Sequence, residues 1–188
     1  MIGIDEVGRG CWAGPLLVVA ARAKGTLPDG LKDSKKLSKK QRQILYVAIE
    51  KSCDRGEGWV QPVEIDELGL TEAMRLGVFR ALNALKATHE EEIIMDGTFN
   101  YVSKEFINVK CIAKADDLYP IVSAAAIYAK VTRDTYMASE AHAQFPDYNF
   151  DLHVGYGTAA HIAALKLYGV TSQHRLSYKP IKVFMEQV

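Results

Sequence analysis

Two apolar runs separated by glycines restrict what this chain can fold into more than any other feature. Residues 1–6 (MIGIDE) and 16–22 (LLVVAAR) are short and apolar, which is typical of strands in the interior of a sheet. The intervening residues 7–15 carry three glycines and a proline, which break regular structure. We therefore expect a hairpin that begins almost at the first residue and in which the backbone closely approaches another group.

The remaining sequence alternates between helical and strand patterns. Further strands are predicted at 57–63, 92–96 and 107–113, and helices at 39–52, 71–87, 121–141 and 159–169, with Ser38, Thr71 and Thr158 as their N-caps. The strand at 57–63 should lie at an edge, because Pro62 cannot donate to a ladder. This order predicts an α/β fold with a central mixed sheet flanked by helices.

Composition excludes several other classes. The 188 residues are 48% hydrophobic and 24% charged, so the chain is neither disordered nor a disulfide scaffold. We expect one catalytic domain over 1–188, with a C-terminal helical extension at about 140–188. No apolar stretch is long enough to span a membrane, and no signal-peptide pattern precedes Asp5. A cytoplasmic location and a monomer are the default expectations.

Acidic residues follow several of the predicted strands. Asp5 and Glu6 end the first strand, Asp96 ends a later buried strand, and Asp116-Asp117 follows another. Carboxylates gathered at strand ends would suit Mg²⁺ or Mn²⁺, although solvated strand ends and a plain turn at Asp96 are the simpler alternative. Adjacent strand residues point to opposite faces, so Asp5 and Glu6 share a site only where the strand ends or distorts.

Three further features could contact nucleic acid. Gly8-Arg9-Gly10 offers bare amides and a guanidinium, residues 32–42 carry six basic residues against one acid, and Tyr156 lies between two glycines. A tight turn, a solvated helix start and a packed loop tyrosine are the structural alternatives. Because the net charge is zero, a nucleic-acid partner would require such a local basic patch.

Two other functional classes compete with a metal site that acts on nucleic acid. A strand followed by Asp and glycines also opens ATPases and sugar kinases, but no second glycine-rich phosphate loop is present in the sequence. A non-catalytic module that binds RNA/DNA hybrids would carry the acidic residues only by accident. The histidines lack zinc-ligand spacing, and Arg133 and Asp134 are expected to form local ion pairs or caps.

Taken together, the motifs resemble ribonuclease HII, of the type 2 ribonucleases H. The matching segments occur in order along nearly the whole chain: IGIDEVGRG at 2–10, AGPLLVVAA at 13–21, DSKKLS at 33–38, MDG at 95–97, KADDLYPIVSAAAIYAKVTRD at 114–134, GYGTAAH at 155–161 and HRLSYKP at 174–180. The GRG tripeptide alone is weak evidence, but the ordered set is highly specific.

The resemblance implies a ribonuclease H-like fold with additional C-terminal helices. It also implies an endonuclease that cuts the RNA strand of RNA/DNA hybrids, and duplex DNA on the 5′ side of an embedded ribonucleotide, as in ribonucleotide removal from DNA. The family's acidic quartet, which holds two Mg²⁺ or Mn²⁺ ions, would be Asp5, Glu6, Asp96 and Asp116. The family spacing of eight residues before Ala124 selects Asp116 over Asp117.

The resemblance also implies substrate-binding residues. Gly8, Arg9 and Gly10 would sense the ribose 2′-hydroxyl, Tyr156 would stack on the neighbouring deoxyribose, and Lys35 and Arg175 would contact phosphate. This chain departs from the family at Val154, usually Lys, and at Ala126, usually Ser. The first departure is expected to weaken a phosphate contact, and the second to change only a local hydrogen bond.

Overall fold

The computed structural model describes residues 1–185. Its strands are β1 (Ile2–Val7), β2 (Leu16–Ala23), β3 (Cys53–Val60), β4 (Ile93–Asp96) and β5 (Val109–Ile112). Its helices are α1 (Lys39–Ser52), α2 (Pro62–Leu85), α3 (Ala115–Leu118), α4 (Pro120–Tyr136), α5 (His142–Gln144), α6 (Phe150–His153), α7 (Ala159–Tyr168) and α8 (Lys179–Met185). No helix among these is long and apolar enough to cross a membrane.

The five strands form one mixed sheet in the order β3-β2-β1-β4-β5. β1 and β2 are antiparallel, which confirms the expected hairpin, and β1, β4 and β5 run parallel to one another. Parallel strands need crossover connections. The segment from β1 to β4 includes α1 and α2, whereas a loop over residues 97–108, without a helix, connects β4 to β5. The carboxyl ends of β1, β4 and β5 therefore lie at the same edge of the sheet, where ligand sites of α/β proteins gather.

Helix α1 begins where the sequence predicts. The Ser38 side chain accepts a hydrogen bond from the Gln41 amide, and the Gln41 side chain accepts one from the Ser38 amide, which makes a complete capping box. Thr158 also caps α7, because its side chain accepts a hydrogen bond from the His161 amide. Local side-chain chemistry sets both of these helix starts, and the sequence therefore locates them correctly.

The predicted strand at 57–63 and helix at 71–87 are both displaced. The third strand covers Cys53–Val60, and Pro62 is the first residue of helix α2 rather than part of an edge strand. Proline suits the first helical position because its missing N–H has no partner there in any case. Helix α2 is broken at Gly69 (φ 75°), so the periodic pattern after Thr71 is only its second part.

The structure divides into two compact units. The first unit comprises residues 1–7, 17–59 and 74–131, and its buried core includes Val19, Ile94 and Ile127. The second unit comprises 8–16, 60–73 and residues from 132 onward, and its core includes Met137, Phe150 and Leu165. The predicted division into a catalytic domain and an extension from about 140 stays a prediction, and residues 186–188 lie outside the described part.

Gly3 allows helix α4 to lie directly against strand β1 in the first unit. A Cβ atom at this position would lie 2.6 Å from the backbone carbonyl carbon of Ile121. Backbone atoms cannot rotate away as a side chain can, so only glycine permits this approach. The contact brings the start of α4, and the short helix α3 before it, close to the strand that carries Asp5 and Glu6.

Candidate active site

Two of the predicted carboxylates lie side by side at the carboxyl edge of the sheet. The parallel register pairs Ile4 of β1 with Met95 of β4. Asp5 and Asp96 are the next residues on the two strands, immediately after the last paired step. Residues at the same step of neighbouring strands share a face, so sheet geometry directs both carboxyl groups to the same side.

Asp5 is the most strongly perturbed of these acids. Only 8% of its surface is exposed, and its Oδ1 accepts a hydrogen bond of 2.7 Å from the Glu6 amide. Burial raises the pKa of Asp5 well above its ordinary value, and the negative charges of Glu6, Asp96 and Asp116 raise it further. The structure thus places Glu6, Asp96 and Asp116 within electrostatic range of Asp5.

The strand geometry of Asp5 and Glu6 bears on whether they can share a site. Both residues remain in the regular ladder with β2, opposite Val19 and Val18. On the other side of β1, pairing with β4 stops at Ile4. The strand therefore ends on one side only, and the sharing of one site by Asp5 and Glu6 stays a prediction.

Asp96 links the sheet to the segment that carries Asp116. Its Oδ1 accepts a 2.7 Å hydrogen bond from the Ala115 amide at the start of α3. Lys114, immediately before, is in the left-handed conformation (φ 59°), which turns the chain from β5 into α3. Asp116 is half-buried, and its pKa is raised first by burial and then by the charge of Asp96.

Asp116 and its neighbour Asp117 have different surroundings in the structure. Asp117 is exposed, and its Oδ1 accepts a hydrogen bond from Lys36 Nζ at 2.6 Å. That contact raises the pKa of the Lys36 ammonium group. Asp117 is thus engaged by a cation, whereas Asp116 interacts electrostatically with Asp5 and Asp96. The preference for Asp116 stays a prediction, with this difference in its favour.

The donor set suits a hard divalent cation. We name Asp5, Glu6, Asp96 and Asp116 together the carboxylate cluster. Within residues 1–185, no three or more His, Cys, Asp or Glu side chains are arranged as a cage that could hold a metal ion. Mg²⁺ usually binds through one or two carboxylates and keeps several of its waters, so it does not require such a cage. All-oxygen donors and mutual repulsion are what a magnesium or manganese site would show.

Lys35 belongs to the same unit as the carboxylate cluster. It lies in a single 3₁₀ turn, Ser34–Lys36, whose start is capped by Asp33 through a 2.9 Å hydrogen bond from the Lys35 amide. Lys35 is exposed, and its positive charge partly offsets the rise in the Asp116 pKa. The predicted phosphate ligand therefore has an exposed ammonium group within electrostatic range of Asp116.

The glycine-rich segment lies in the second unit and is held there by its carbonyl groups. Gly8 has a φ of 96°, a conformation that disfavours other residues, and a Cβ there would lie 2.5 Å from Arg133 Nε. The Arg9 carbonyl accepts hydrogen bonds from Arg175 Nη1 and the Tyr178 hydroxyl. Arg9 itself is exposed, so the segment combines a fixed backbone with a solvent-accessible residue.

Arg175 does not fit its predicted role as a phosphate contact. Its side chain is fully buried, and Nε and Nη2 donate to the Gly14 carbonyl at 3.0 and 2.8 Å. A guanidinium saturated by backbone carbonyls in the interior cannot reach a phosphate without unfolding its surroundings. Arg175 instead fixes the segment that contains Arg9 and Gly14.

Tyr156 occupies a loop whose backbone is tightly constrained. Gly155 has a φ of 87°, and a Cβ on Gly157 would lie 2.3 Å from the Trp12 ring. The Tyr156 ring is 39% exposed, which leaves one part available for stacking. Burial of the remainder raises the pKa of its hydroxyl to about 12. The position fits the predicted stacking role, which stays a prediction.

The sequence does not reveal the role of Arg133. Rather than forming a local pair, this fully buried residue donates to the carbonyls of Pro15, Val154 and Ala13 at 2.7, 2.9 and 3.0 Å. One sequence signal could have identified it. Arg133 follows Ala125 and Ala129 at intervals of four, so it lies on the buried stripe of α4.

Three histidines of the second unit form a buried cluster that the sequence does not indicate. The Nε2 atoms of His161 and His174 are 3.0 Å apart, and the rings of His153 and His161 stack with centroids 4.5 Å apart. Burial lowers the pKa of His161 to about 4 and that of His174 to about 3, with a further contribution from the His161 charge at His174. The cluster is therefore uncharged at neutral pH.

Comparison with known proteins identifies the family. The sequence profile of ribonuclease HII matches residues 2–181. Ribonuclease HII of Polynucleobacter asymbioticus is 42% identical over 189 residues, which cover 98% of this chain and 95% of that protein. The resemblance inferred from the motifs is thereby confirmed.

Solved structures agree with the sequence comparison. RNase HII of Archaeoglobus fulgidus, solved in complex with PCNA, matches with a TM-score of 0.80 and 30% identity over 95% of this chain and 94% of that one. Ribonuclease H2 of Pyrococcus horikoshii matches with a TM-score of 0.78 and 27% identity, covering 99% and 97% of the two chains. The predicted ribonuclease H-like fold is confirmed, and the ATPase and binding-module alternatives lose their support. The chain belongs to the ribonuclease HII family of metal-dependent nucleases.

Proposed function

We propose that this endoribonuclease, which by its family acts on the RNA strand of RNA/DNA hybrids, also cuts duplex DNA on the 5′ side of a single embedded ribonucleotide. The observation that supports the proposal most directly is the carboxylate cluster. Burial together with the charges of Glu6, Asp96 and Asp116 raises the pKa of Asp5, and burial together with the charge of Asp96 raises the pKa of Asp116. Such a concentration of negative charge is unfavourable unless cations bind to it.

The members of the carboxylate cluster would hold two Mg²⁺ or Mn²⁺ ions at the scissile phosphate. Bound there, the ions would activate a water for in-line attack and stabilise the leaving oxygen. The water oxygen would bond to phosphorus, the P–O3′ bond would break, and a proton would reach O3′. The products would carry 3′-hydroxyl and 5′-phosphate ends.

The protein's own contribution is to hold these acids in place before substrate arrives. Asp96 is oriented by the Ala115 amide, and Asp5 by the Glu6 amide. Preorganised groups incur no reorganisation cost at the moment of reaction. Asp5 and Asp96 each use Oδ1 to accept a backbone N–H, and Oδ2 is the oxygen that we assign to a cation.

Recognition of the ribonucleotide would use the second unit. The backbone of Gly8-Arg9-Gly10 would meet the 2′-hydroxyl, the one group that distinguishes RNA from DNA at a single nucleotide. Tyr156 would stack on the adjacent deoxyribose, and Lys35 of the first unit would contact phosphate. The enzyme would act as a cytoplasmic monomer in ribonucleotide removal during DNA repair.

A cleavage assay with a defined junction tests the proposal. A labelled DNA duplex containing one ribonucleotide is incubated with Mg²⁺, with Mn²⁺ and with EDTA, beside an all-DNA duplex of the same sequence. We expect a metal-dependent cut on the 5′ side of the ribonucleotide and no cut in the all-DNA control. Cleavage of a long RNA/DNA hybrid without cleavage at the single ribonucleotide would reject the finer proposal and leave the family activity intact.

A further inference from the structure

Helix α3, which carries Asp116, is too short to hold its own position. It comprises the four residues Ala115–Leu118, and a single helical turn has no independent stability in water. Its orientation must therefore come from contacts outside the helix. One of these, from the Ala115 amide to Asp96, lies within the carboxylate cluster itself.

A second contact reaches α3 from the buried side. Ser123 lies in α4 with only 2% of its surface exposed. Its Oγ donates a hydrogen bond of 2.5 Å to the backbone carbonyl of Asp116. A buried hydroxyl with this partner fixes the peptide group of Asp116 relative to α4, which itself rests on β1 through Gly3.

A third contact reaches α3 from the solvent side. Lys36 Nζ donates to Asp117 Oδ1 at 2.6 Å. The segment around Lys36 is tied to α1, because Arg42 Nη1 donates to the carbonyls of Ser34 and Leu37 at 2.9 and 2.6 Å. The Lys36–Asp117 ion pair thus connects α3 to a second helix and holds the Asp117 carboxylate next to Asp116.

We propose that Ser123 and Lys36 are positioning residues for Asp116, with Ser123 holding its backbone and Lys36 holding helix α3 through Asp117. The proposal rests on the assignment of Asp116 to the carboxylate cluster made under the proposed function. An exposed ion pair contributes little to folding stability. Its effect should therefore appear in metal binding rather than in the unfolding temperature.

Mn²⁺ binding to the protein alone, measured by electron paramagnetic resonance, tests this assignment without relying on activity. We expect Ser123→Ala to weaken Mn²⁺ binding about tenfold, as is typical when the support of a metal ligand is removed. Lys36→Met and Asp117→Asn should each weaken it about threefold, in keeping with an exposed pair. Lys110→Met is the matched control, because it removes another exposed pair, between Lys110 Nζ and Glu92 Oε1 at 2.8 Å.

A double variant separates positioning from direct substrate contact. If Lys36 acts through Asp117, Lys36→Met combined with Asp117→Asn should bind Mn²⁺ no more weakly than either single variant. If Lys36 acts as a phosphate ligand instead, Lys36→Met should raise the KM for hybrid and leave Mn²⁺ affinity unchanged. That second result, or wild-type Mn²⁺ affinity in Ser123→Ala, would overturn the proposal.

The same set of proteins separates this inference from the proposed function. Weakened Mn²⁺ binding in the three single variants, together with a wild-type protein that leaves the embedded ribonucleotide uncut, would reject the proposed function and support the positioning role. Metal-dependent cutting by the wild type, with Mn²⁺ affinities equal in all variants, would support the proposed function and reject the positioning role. Circular dichroism of each variant verifies that it is folded.

Discussion

Buried charged side chains have opposite surroundings in the two compact units. In the first unit, the carboxylate cluster gathers acids that repel one another, and Asp5 stays buried among them at the cost of a strongly raised pKa. In the second unit, Arg133 and Arg175 are fully buried, and their guanidinium groups donate to backbone carbonyls. Under the proposed function, the uncompensated charge serves binding and catalysis, whereas the buried guanidinium groups hold the backbone in place.

The largest expected effect comes from removing one charge of the carboxylate cluster. Asp5→Asn should lower the cleavage rate of hybrid by about 10³-fold, equivalent to about 4 kcal/mol. The unfolding temperature should not fall, because the amide relieves repulsion from Glu6, Asp96 and Asp116. Steady-state cleavage and thermal unfolding measure the two effects. Near-normal cleavage by Asp5→Asn would remove the residue from the mechanism.

Removing a buried positive charge should instead lower the free energy of unfolding. Arg133→Met leaves the carbonyls of Ala13, Pro15 and Val154 without this donor, at a cost of about 3 kcal/mol or more in the free energy of unfolding. Urea denaturation measures the loss. Arg42→Met is the control, because its guanidinium also donates to carbonyls but is partly solvated. Equal losses in both variants would show that burial does not set the cost.

The buried histidines predict an acid-sensitive second unit. The pKa of His161 in the folded protein is about 4 and that of His174 about 3, both below the ordinary value of 6.5. The unfolded chain therefore binds more protons between these values, and stability is lost as pH falls from about 6.5 toward 4. The slope should be about 1.4 kcal/mol per pH unit for each residue.

Denaturation midpoints at several pH values between 7 and 5 test this prediction. His161→Gln should reduce the slope by about half. His89→Gln should leave it unchanged, since His89 is exposed. A wild-type slope near zero across this range would mean that the cluster opens to water without global unfolding.

The smallest expected effect concerns backbone strain beside Tyr156. Val154 adopts a φ of 45°, which is unfavourable for a β-branched residue. Val154→Asn should raise the free energy of unfolding by about 1 kcal/mol, because Asn tolerates this conformation. Val154→Ala loses apolar contact in a similar way but gains less from relief of strain. An Asn variant no more stable than the Ala variant would argue against strain at this position.

The sequence predicts much of the fold because its signals are local. Caps at Ser38 and Thr158 and apolar runs in β1 and β2 act over a few residues, and the structure agrees with them. The prediction for Pro62 is wrong because proline is tolerated both at a strand edge and at a helix start. Nothing local decides between these two environments, and the helical segment before Gly69 therefore escapes prediction.

For the candidate site, too, the sequence predicts local features and misses contacts between distant residues. Carboxylates at strand ends can be found from sequence, because sheet topology brings strand ends together. The engagement of Asp117 by Lys36 and the burial of Arg175 depend on contacts between residues far apart in the chain. Such contacts leave no local pattern, so the motif alone assigns Arg175 to substrate and gives no reason to single out Arg133.

The close approach at Gly3 has a consequence for how the chain is made. The first strand touches the backbone of Ile121, a residue 118 positions later in the sequence. At typical ribosomal rates of about 5–20 residues per second, that partner is synthesised about 6–24 s after Gly3. During this interval the apolar N-terminal hairpin lacks its contact with Ile121. Chaperones that shield nascent apolar segments would therefore have the longest time to bind this hairpin.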